Sequence, residues 1–155
     1  MLQLRPSRAQ DAPRVIEIWR RAVDATHGFL SPADRHALDA EVAGFLPTAP
    51  LLLAVDAADR PLAFIWVIDG HMEALFVDPD ARGSGIGRQL VGHGLHENPR
   101  LTTDVNEQNV QAVVFYQRLG FTVVGRSPLD GQGRPYPLLH LRSGGAGAPG
   151  PVSSP

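Results

Sequence analysis

Three glycines alternate with single residues in one short segment, Arg82-Gly83-Ser84-Gly85-Ile86-Gly87-Arg88. An apolar strand ends just before it at Asp78-Pro79, and a helix with apolar periodicity follows. Glycine has no Cβ, so this backbone can curl and point several N–H groups at one position. Those donors would lie at a helix N-terminus, where the macrodipole favours an anion, and the two arginines can form bidentate bonds to phosphate oxygens. The segment therefore predicts a pyrophosphate-binding loop.

Two other phosphate loops fit this sequence less well. A dinucleotide-binding loop needs a third glycine where Arg88 stands, and it is typical of the first strand of a chain rather than its middle. A Walker A loop needs a lysine, and all 14 basic residues of this chain are arginine. A flexible glycine turn before a helix, with no ligand, remains an alternative. The other segments of the chain are needed to distinguish it from a phosphate-binding loop.

Composition limits the class of protein. With 155 residues and 43% hydrophobic content, one globular domain with a core is expected. A formal net charge of −2 offers no basic field for nucleic acid. There is no cysteine for a disulfide, a thiolate nucleophile or a metal site. We find no signal peptide and no apolar run of roughly 20 residues, so we expect a cytoplasmic protein without a membrane partner.

A metal site is considered on one predicted helix and rejected. His93 and Glu97 stand four residues apart, and His96 is beside them. No third ligand is indicated elsewhere, and the order of the residues fits no zinc-protease motif. We interpret the three as a solvated helix face and expect no metal.

Hydrophobic periodicity and breaker residues predict the order β-α-α-β-β-β-α-β-α-β-β. The first two helices start at Asp11 and at Ser31, which are both suitable N-cap residues. Asp69-Gly70 predicts a tight hairpin turn before the strand His71 to Val77. The order describes an α/β domain, a mixed sheet with helices on its faces, over residues 1–142. Residues 143–155 are rich in Gly, Ala, Pro and Ser and are expected to be a disordered tail.

Two motifs in this order resemble the GNAT superfamily of acetyltransferases. Arg82 to Gly87 matches the family's Arg/Gln-x-x-Gly-x-Gly/Ala signature without a gap. Val105 to Phe121 resembles the family's second pattern, with a strand-end Asn106, a helix-start Asn109, Ala112, the pair Phe115-Tyr116 and Gly120-Phe121. The resemblance covers about residues 1–142, and it implies the GNAT fold and acetyl-coenzyme A as the acetyl donor.

The chain is also similar to a bacterial subgroup of small GNAT enzymes described as lysine acetyltransferases of proteins. The similarity lies in Val23 to Leu30, which includes His27 and Phe29, and in Pro135 to Leu139, which includes Tyr136. It implies that the acceptor is a protein lysine. Small members of the superfamily are often homodimers, which is an analogy only.

The resemblance implies a set of cofactor-binding positions. The fourth and fifth strands of the family splay apart, and the pantetheine arm lies in the notch beside the backbone of Phe76 and Val77. The pyrophosphate would be held by backbone N–H groups of the glycine loop, while an amide side chain and an aromatic side chain lie along the arm. The residues implied are Phe76, Val77, Arg82, Gly83, Ser84, Gly85, Ile86, Gly87, Arg88, Asn109, Ala112, Phe115 and Tyr116.

Catalysis would then need a polarised carbonyl, a proton for the leaving thiolate and a base for the amine. The backbone N–H of Val77 would polarise the carbonyl. Tyr116 would protonate the departing thiolate, since a phenol with a pKa near 10 still carries its proton at neutral pH. Glu73 is a candidate base on the fourth strand, although it would equally suit a solvated strand position. His27, Phe29, Asn106 and Tyr136 are candidates for the acceptor pocket.

The sequence therefore predicts an N-acetyltransferase that transfers acetyl from acetyl-coenzyme A directly to a primary amine. A protein lysine is the first choice of acceptor, and a small amine or an N-terminal amine is the alternative. A non-catalytic domain that senses acetyl-coenzyme A and an unrelated phosphate-binding protein are the competing classes. The sequence does not identify the acceptor.

Overall fold

The computed structural model describes residues 2–144, and the element order is the predicted one. The strands are β1 Gln3–Pro6, β2 Leu52–Val55, β3 Pro61–Ile68, β4 His71–Val77, β5 Thr102–Asn106, β6 Phe121–Ser127 and β7 Leu138–Ser143. The helices are α1 Ala12–Thr26, α2 Pro32–Phe45, α3 Ile86–Glu97 and α4 Val110–Arg118. The strands are hydrogen-bonded in the order β1-β2-β3-β4-β5-β7-β6.

The chain divides into two compact units, and strands β3 and β4 and helix α3 contribute residues to both. Unit one contains the described residues up to 66 together with residues 74–90, and unit two contains residues 67–73 and 91–144. In unit one, β1 pairs with β2 and β2 with β3, both antiparallel. In unit two, the start of β4 runs parallel to β5, and β7 lies antiparallel between β5 and β6. The sheet is therefore mixed, as the sequence predicts.

Helix starts follow the local chemistry of their caps. Ser31 caps α2 through its hydroxyl, which accepts the N–H of Asp34 at 3.1 Å. Asp11 lies at the predicted N-cap of α1, but its carboxylate makes no capping bond there. It accepts the N–H of Arg8 instead, at 2.8 Å, and pairs with the Arg5 guanidinium at the same distance. The position is confirmed and the capping bond is not formed.

The core of unit one lies where α1 and the residues after α2 pack on β2 and β3. Ile18, Leu53 and Phe64 are fully buried in it, and Trp66, Ala74 and Phe76 pack against its margin. The alternation of β4 therefore directs Ala74 and Phe76 toward this core and gives Leu75 and Val77 the opposite face. The amphipathic α1 helix fixes which side of β4 is buried.

Unit two forms its own core around the start of β4. Met72, Leu101 and Leu141 are almost completely buried, and Tyr116 and Phe121 pack in edge-to-face contact at 5.5 Å between ring centroids. Gly120 follows the C-cap of helix α4 and has φ +96°, a left-handed conformation in which glycine carries no Cβ penalty. This glycine is the predicted C-terminal stop signal.

The last strand, β7, runs one residue past the end of the predicted domain. β7 continues through Ser143, which pairs with Phe121 and donates its N–H to the carbonyl of Leu101. The predicted domain boundary at residue 142 therefore falls one residue inside β7. Residues 145–155, which make up most of the predicted tail, lie outside the described residues.

Candidate active site

Strand β4 forms the edge of the sheet within unit one. It follows β3 in the strand order, and the N–H of Asp78 donates to the carbonyl of Leu62 on β3 at 2.8 Å. Both central residues of the preceding turn, Asp69 and Gly70, have positive φ, as a two-residue hairpin turn requires. The turn therefore brings the chain back along β3, and the bond between Asp78 and Leu62 lies at the far end of this strand pair.

The parallel ladder of β4 with β5 in unit two is short, and it pairs only the start of β4, with His71 opposite Thr102 and Met72 opposite Thr103. The later residues of β4 thus offer backbone N–H and C=O groups along an open edge in unit one, where an extended ligand can add like a strand.

The glycine loop that follows β4 is exposed and carries unused donors. Gly83 and Gly85 have φ of +79° and +82°, and residues 82–85 are exposed. The N–H groups of Gly83, Ser84 and Gly85 have no acceptor within residues 2–144. The first helical hydrogen bond runs from Gln89 to the Gly85 carbonyl, so the N–H groups at the start of α3 also lack intrahelical partners. These groups fit an anion such as a pyrophosphate.

A buried ion-pair cluster anchors the start of this loop to helix α1. Asp78 is buried, and its carboxylate contacts Arg14 at 2.8 Å and Arg21 at 3.3 Å. It also accepts the N–H of Asp80 at 2.9 Å. Burial opposes ionisation of Asp78, but the backbone bond and the two arginines outweigh it and lower the pKa. The cluster was not predicted, although Arg14 and Arg21 stand seven residues apart on one face of α1, a spacing that could have indicated it.

His27 and Phe29 are in contact after the end of α1. Their ring centroids lie 5.2 Å apart, and His27 Nδ1 lies 2.7 Å from the Thr26 hydroxyl. Burial lowers the pKa of His27 from 6.5 to about 4, so its imidazole is neutral at physiological pH. The structure thus places two of the predicted acceptor-pocket residues side by side in unit one, on a neutral aromatic surface.

Helix α4 positions the second predicted motif in unit two. Asn109 caps the helix, because its side-chain oxygen accepts the N–H of Ala112 at 3.3 Å. Phe115 and Tyr116 are in edge-to-face contact at 5.2 Å, and Tyr116 is 7% exposed. Burial raises the pKa of Tyr116 above its ordinary value of 10.0, so the phenol remains protonated. A protonated phenol is a proton donor over the whole physiological pH range.

The remaining predicted residues of unit two occupy strand and turn positions. Glu73 is exposed on β4 and has no hydrogen-bond or ion-pair partner among residues 2–144. Asn106 ends β5, and its carbonyl accepts the N–H of Asn109 at 2.9 Å. Tyr136 is 7% exposed in the connection to β7. His93, His96 and Glu97 are exposed on α3, and no group of three or more such side chains in residues 2–144 is arranged to hold a metal ion.

The comparisons with known proteins agree with this geometry. Residues 48–123 match the family model described as an acetyltransferase (GNAT) domain. The chain is 55% identical to the peptidyl-lysine N-acetyltransferase YjaB of Salmonella typhimurium over 141 residues. These residues are 91% of this chain and 97% of that protein. The Escherichia coli protein of the same name is 51% identical over 94% of this chain and 99% of its own length.

The chain belongs to the GNAT acetyltransferase family.

Solved structures support the same fold for this GNAT acetyltransferase. The solution structure of apo-form YjaB from Escherichia coli matches with a TM-score of 0.90 at 51% identity, covering 96% of this chain and 99% of that one. A PaiA N-acetyltransferase from Thermoplasma acidophilum in complex with coenzyme A matches with a TM-score of 0.71 at 18% identity, which bears on the fold alone. It covers 92% of this chain and 98% of that one. Within residues 2–144, no helix has both the length and the hydropathy to cross a bilayer.

Proposed function

We propose that this acetyltransferase moves the acetyl group of acetyl-coenzyme A to the side-chain amine of a protein lysine by direct attack. The observation that carries the proposal is the exposed loop after β4, in which the N–H groups of Gly83, Ser84 and Gly85 have no acceptor among residues 2–144. Two relatives that match more than 90% of the chain, at 55% and 51% identity, are named peptidyl-lysine N-acetyltransferases. Direct attack suits a chain without cysteine, which cannot form an acyl-thioester on a side chain.

The donor would be held by two kinds of backbone group. The open edge of β4, including Phe76 and Val77, would hydrogen-bond to the amides of the pantetheine arm as a neighbouring strand does. The loop and the first turn of α3 would hold the pyrophosphate, with the side chains of two arginines outside it. These residues are Arg82, Gly83, Ser84, Gly85, Ile86, Gly87 and Arg88. The family resemblance implies that Asn109, Ala112, Phe115 and Tyr116 also take part in donor binding.

The donor supplies an acetyl thioester. Residues of this chain would stabilise the charge that develops on it and would transfer the protons. The N–H of Val77 would donate to the thioester oxygen as negative charge develops there. The phenol of Tyr116 would donate its proton to the departing sulfur, and burial keeps the phenol protonated until that step. Glu73 would accept the proton of the attacking amine, directly or through water, because it is exposed and has no competing partner among residues 2–144.

The acceptor would meet both an apolar and a polar surface. His27 and Phe29 form a neutral aromatic pair that suits the aliphatic stem of a lysine. The family resemblance also implies Asn106 and Tyr136 as residues that bind the acceptor. With a neutral pocket wall, desolvation of a lysine stem favours the uncharged amine that the reaction needs.

A panel of acceptors tests the proposed function. The purified protein is incubated with acetyl-coenzyme A and lysine peptides with blocked N-termini, polyamines or free amino acids, and free thiol is measured. We expect thiol release that depends on the lysine peptides and disappears when arginine replaces lysine. Release confined to polyamines, or to peptides with a free α-amine, would replace lysine by that acceptor. No release with any amine would contradict the proposed acceptor range.

A further inference from the structure

A hydrogen-bonded chain of polar side chains crosses one face of the sheet in unit two. Ser127 Oγ on β6 lies 2.7 Å from His140 Nε2 on β7. His140 Nδ1 lies 2.6 Å from Asp104 Oδ1 on β5. Asp104 Oδ2 lies in turn 3.5 Å from His71 Nε2 on β4. The first three residues thus have the order hydroxyl, imidazole, carboxylate, and none of them belongs to the proposed acetyl-coenzyme A site.

The strand register accounts for this arrangement. Asp104 lies opposite His140 in the β5–β7 ladder, so both side chains point to the same face. Across the β7–β6 ladder, Gly125 lies opposite His140, and Ser127 is two residues further along on the same face. A Cβ on Gly125 would stand 3.3 Å from His140 Cδ2, which is a tight contact. The glycine therefore leaves room for the imidazole to lie over β6 and reach Ser127.

The three side chains are accessible as well as connected. The side chain of His140 is 35% exposed and that of Asp104 is 38% exposed, while Ser127 is partly exposed at the end of its strand. A carboxylate on Nδ1 stabilises the tautomer that carries its proton there, which leaves Nε2 free to accept the serine proton. This is the arrangement that activates a serine as a nucleophile on unrelated folds, where it is recognised by geometry rather than by sequence.

We propose that Ser127, His140 and Asp104 form a second acyl-transfer site, at which Ser127 takes the acyl group of an activated ester. His140 Nε2 removes the proton of the Ser127 hydroxyl as Oγ forms a bond to the ester carbonyl carbon. The bond from that carbon to the leaving oxygen breaks, and the leaving group departs with the proton from His140, or as an anion while His140 loses that proton to solvent. Water then attacks the acyl-serine by the same proton route, which releases the acid and restores Ser127.

A cation on the same face defines the class of substrate further. Arg142 lies two residues after His140 on β7 and opposite Thr102 on β5, so it shares their face. Its guanidinium is exposed and has no ion-pair or hydrogen-bond partner among residues 2–144. It can stabilise negative charge on the carbonyl oxygen or attract an acyl donor that carries an anion. Small activated acyl esters, including anionic ones, fit this surface.

The absence of lysine makes the test clean, because no side-chain amine competes for the acyl group. The full chain is treated with p-nitrophenyl acetate, release of p-nitrophenolate is followed, and acetylated residues are located by mass spectrometry of tryptic peptides. We expect a burst of p-nitrophenolate and acetylation of Ser127, in the peptide that starts after Arg126. In the Ser127→Ala variant both are lost.

Matched variants separate an activated serine from an ordinary hydroxyl. His140→Gln should slow acylation of Ser127 by about a hundredfold, the usual contribution of a general base. Thr122→Ala removes an exposed hydroxyl on the same strand and should leave the rate unchanged, since among residues 2–144 that hydroxyl bonds only to the carbonyl of Arg142. Gly125→Ala should also slow acylation by displacing the His140 ring.

The overturning results are equally definite. Equal acylation rates in His140→Gln and in the wild type would show that the imidazole does not activate Ser127. Acetylation of Thr122 at the same rate as Ser127 would show reactivity by exposure alone. Thermal unfolding of each variant identifies any that has lost its fold, and thiol release with acetyl-coenzyme A in Ser127→Ala should match the wild type.

Discussion

At the scale of single residues, burial decides which groups can move protons. Tyr116 and His27 are both aromatic and titratable, and burial acts on them in opposite chemical directions. It raises the pKa of the phenol and lowers that of the imidazole, so each is held in its neutral form. A neutral phenol can give a proton to a thiolate, and a neutral imidazole does not repel a cationic acceptor.

Replacement of Tyr116 by phenylalanine tests the proton donor. The change keeps the ring contacts with Phe115 and Phe121 and removes only the hydroxyl. We expect kcat to fall by at least roughly tenfold, because general acid assistance is lost, with little change in the affinity for coenzyme A. Steady-state kinetics and calorimetric titration measure the two quantities. Turnover equal to that of the wild type would exclude the role.

The lowered pKa of His27 predicts a dependence of stability on pH. The folded pKa of about 4 is below the ordinary 6.5, so the unfolded state binds more protons between these values. The stabilisation that His27 retains above pH 6.5 should therefore decrease as the pH falls toward 4. Denaturant unfolding of the wild type and of His27→Gln at several pH values measures it. The two proteins should differ in slope over this range, and parallel curves would contradict the burial of a neutral imidazole.

At the scale of elements, the open edge of β4 and the loop into α3 act together. The strand supplies extended backbone, and the helix start supplies N–H groups and the positive end of its dipole. The two glycines at positive φ connect them with no Cβ in the way. The site is thus mainly a backbone site, and side-chain substitutions around it should matter less than changes of backbone conformation.

Two glycine-to-alanine changes, one in the loop and one within α3, test whether backbone conformation controls binding. Gly85 has φ +82°, where an L-residue costs roughly 1–2 kcal/mol, so Gly85→Ala should distort the loop and weaken coenzyme A binding by about tenfold or more. Gly92 lies within α3 with open space at its Cβ, so Gly92→Ala should leave binding unchanged and stabilise the helix by about 1 kcal/mol. Isothermal titration and thermal unfolding distinguish the two. Equal affinities in both variants would exclude the loop as the pyrophosphate site.

The ion-pair cluster under the loop gives a prediction of its own. Asp78→Asn leaves Arg14 without its buried anionic partner, which should lower the free energy of unfolding by roughly 3 kcal/mol. It should also weaken coenzyme A binding, because the loop loses its anchor to α1. Asp24→Asn is the control, since Asp24 is 61% exposed in its pair with Arg35 and should change stability little. An unchanged coenzyme A affinity in a folded Asp78→Asn protein would contradict the anchoring role.

The elements were largely predictable from local signals, and the departures have physical causes. Ser31, the Asp69-Gly70 turn and Gly120 act locally, so their consequences are visible in the sequence. Asp11 does not cap α1 because Arg5 and Arg8, from outside the helix, bind its carboxylate. The Ser127, His140 and Asp104 chain was not predicted, since it depends on the register of three strands that are distant in sequence. Long-range register is the information that local patterns lack.

At the scale of the whole molecule, the family assignment and the chemistry of the site both support acetyl transfer to a lysine. A chain that is 55% identical to a peptidyl-lysine acetyltransferase over most of its length keeps an exposed, donor-rich loop and a protonated phenol. We therefore expect an acetyl donor on the backbone of the loop and a lysine as the acceptor. Because the chain itself has no lysine, its own side chains do not compete with the acceptor.

The most direct test uses a peptide with one lysine and a free α-amine, incubated with the protein and acetyl-coenzyme A. Tandem mass spectrometry then locates the acetyl group, and the Gly85→Ala and Gly92→Ala variants are run beside the wild type. We expect acetylation of the lysine Nζ alone, at a rate that falls in Gly85→Ala and is unchanged in Gly92→Ala. Acetylation of the α-amine, or a rate that is the same in all three proteins, would contradict the proposed function.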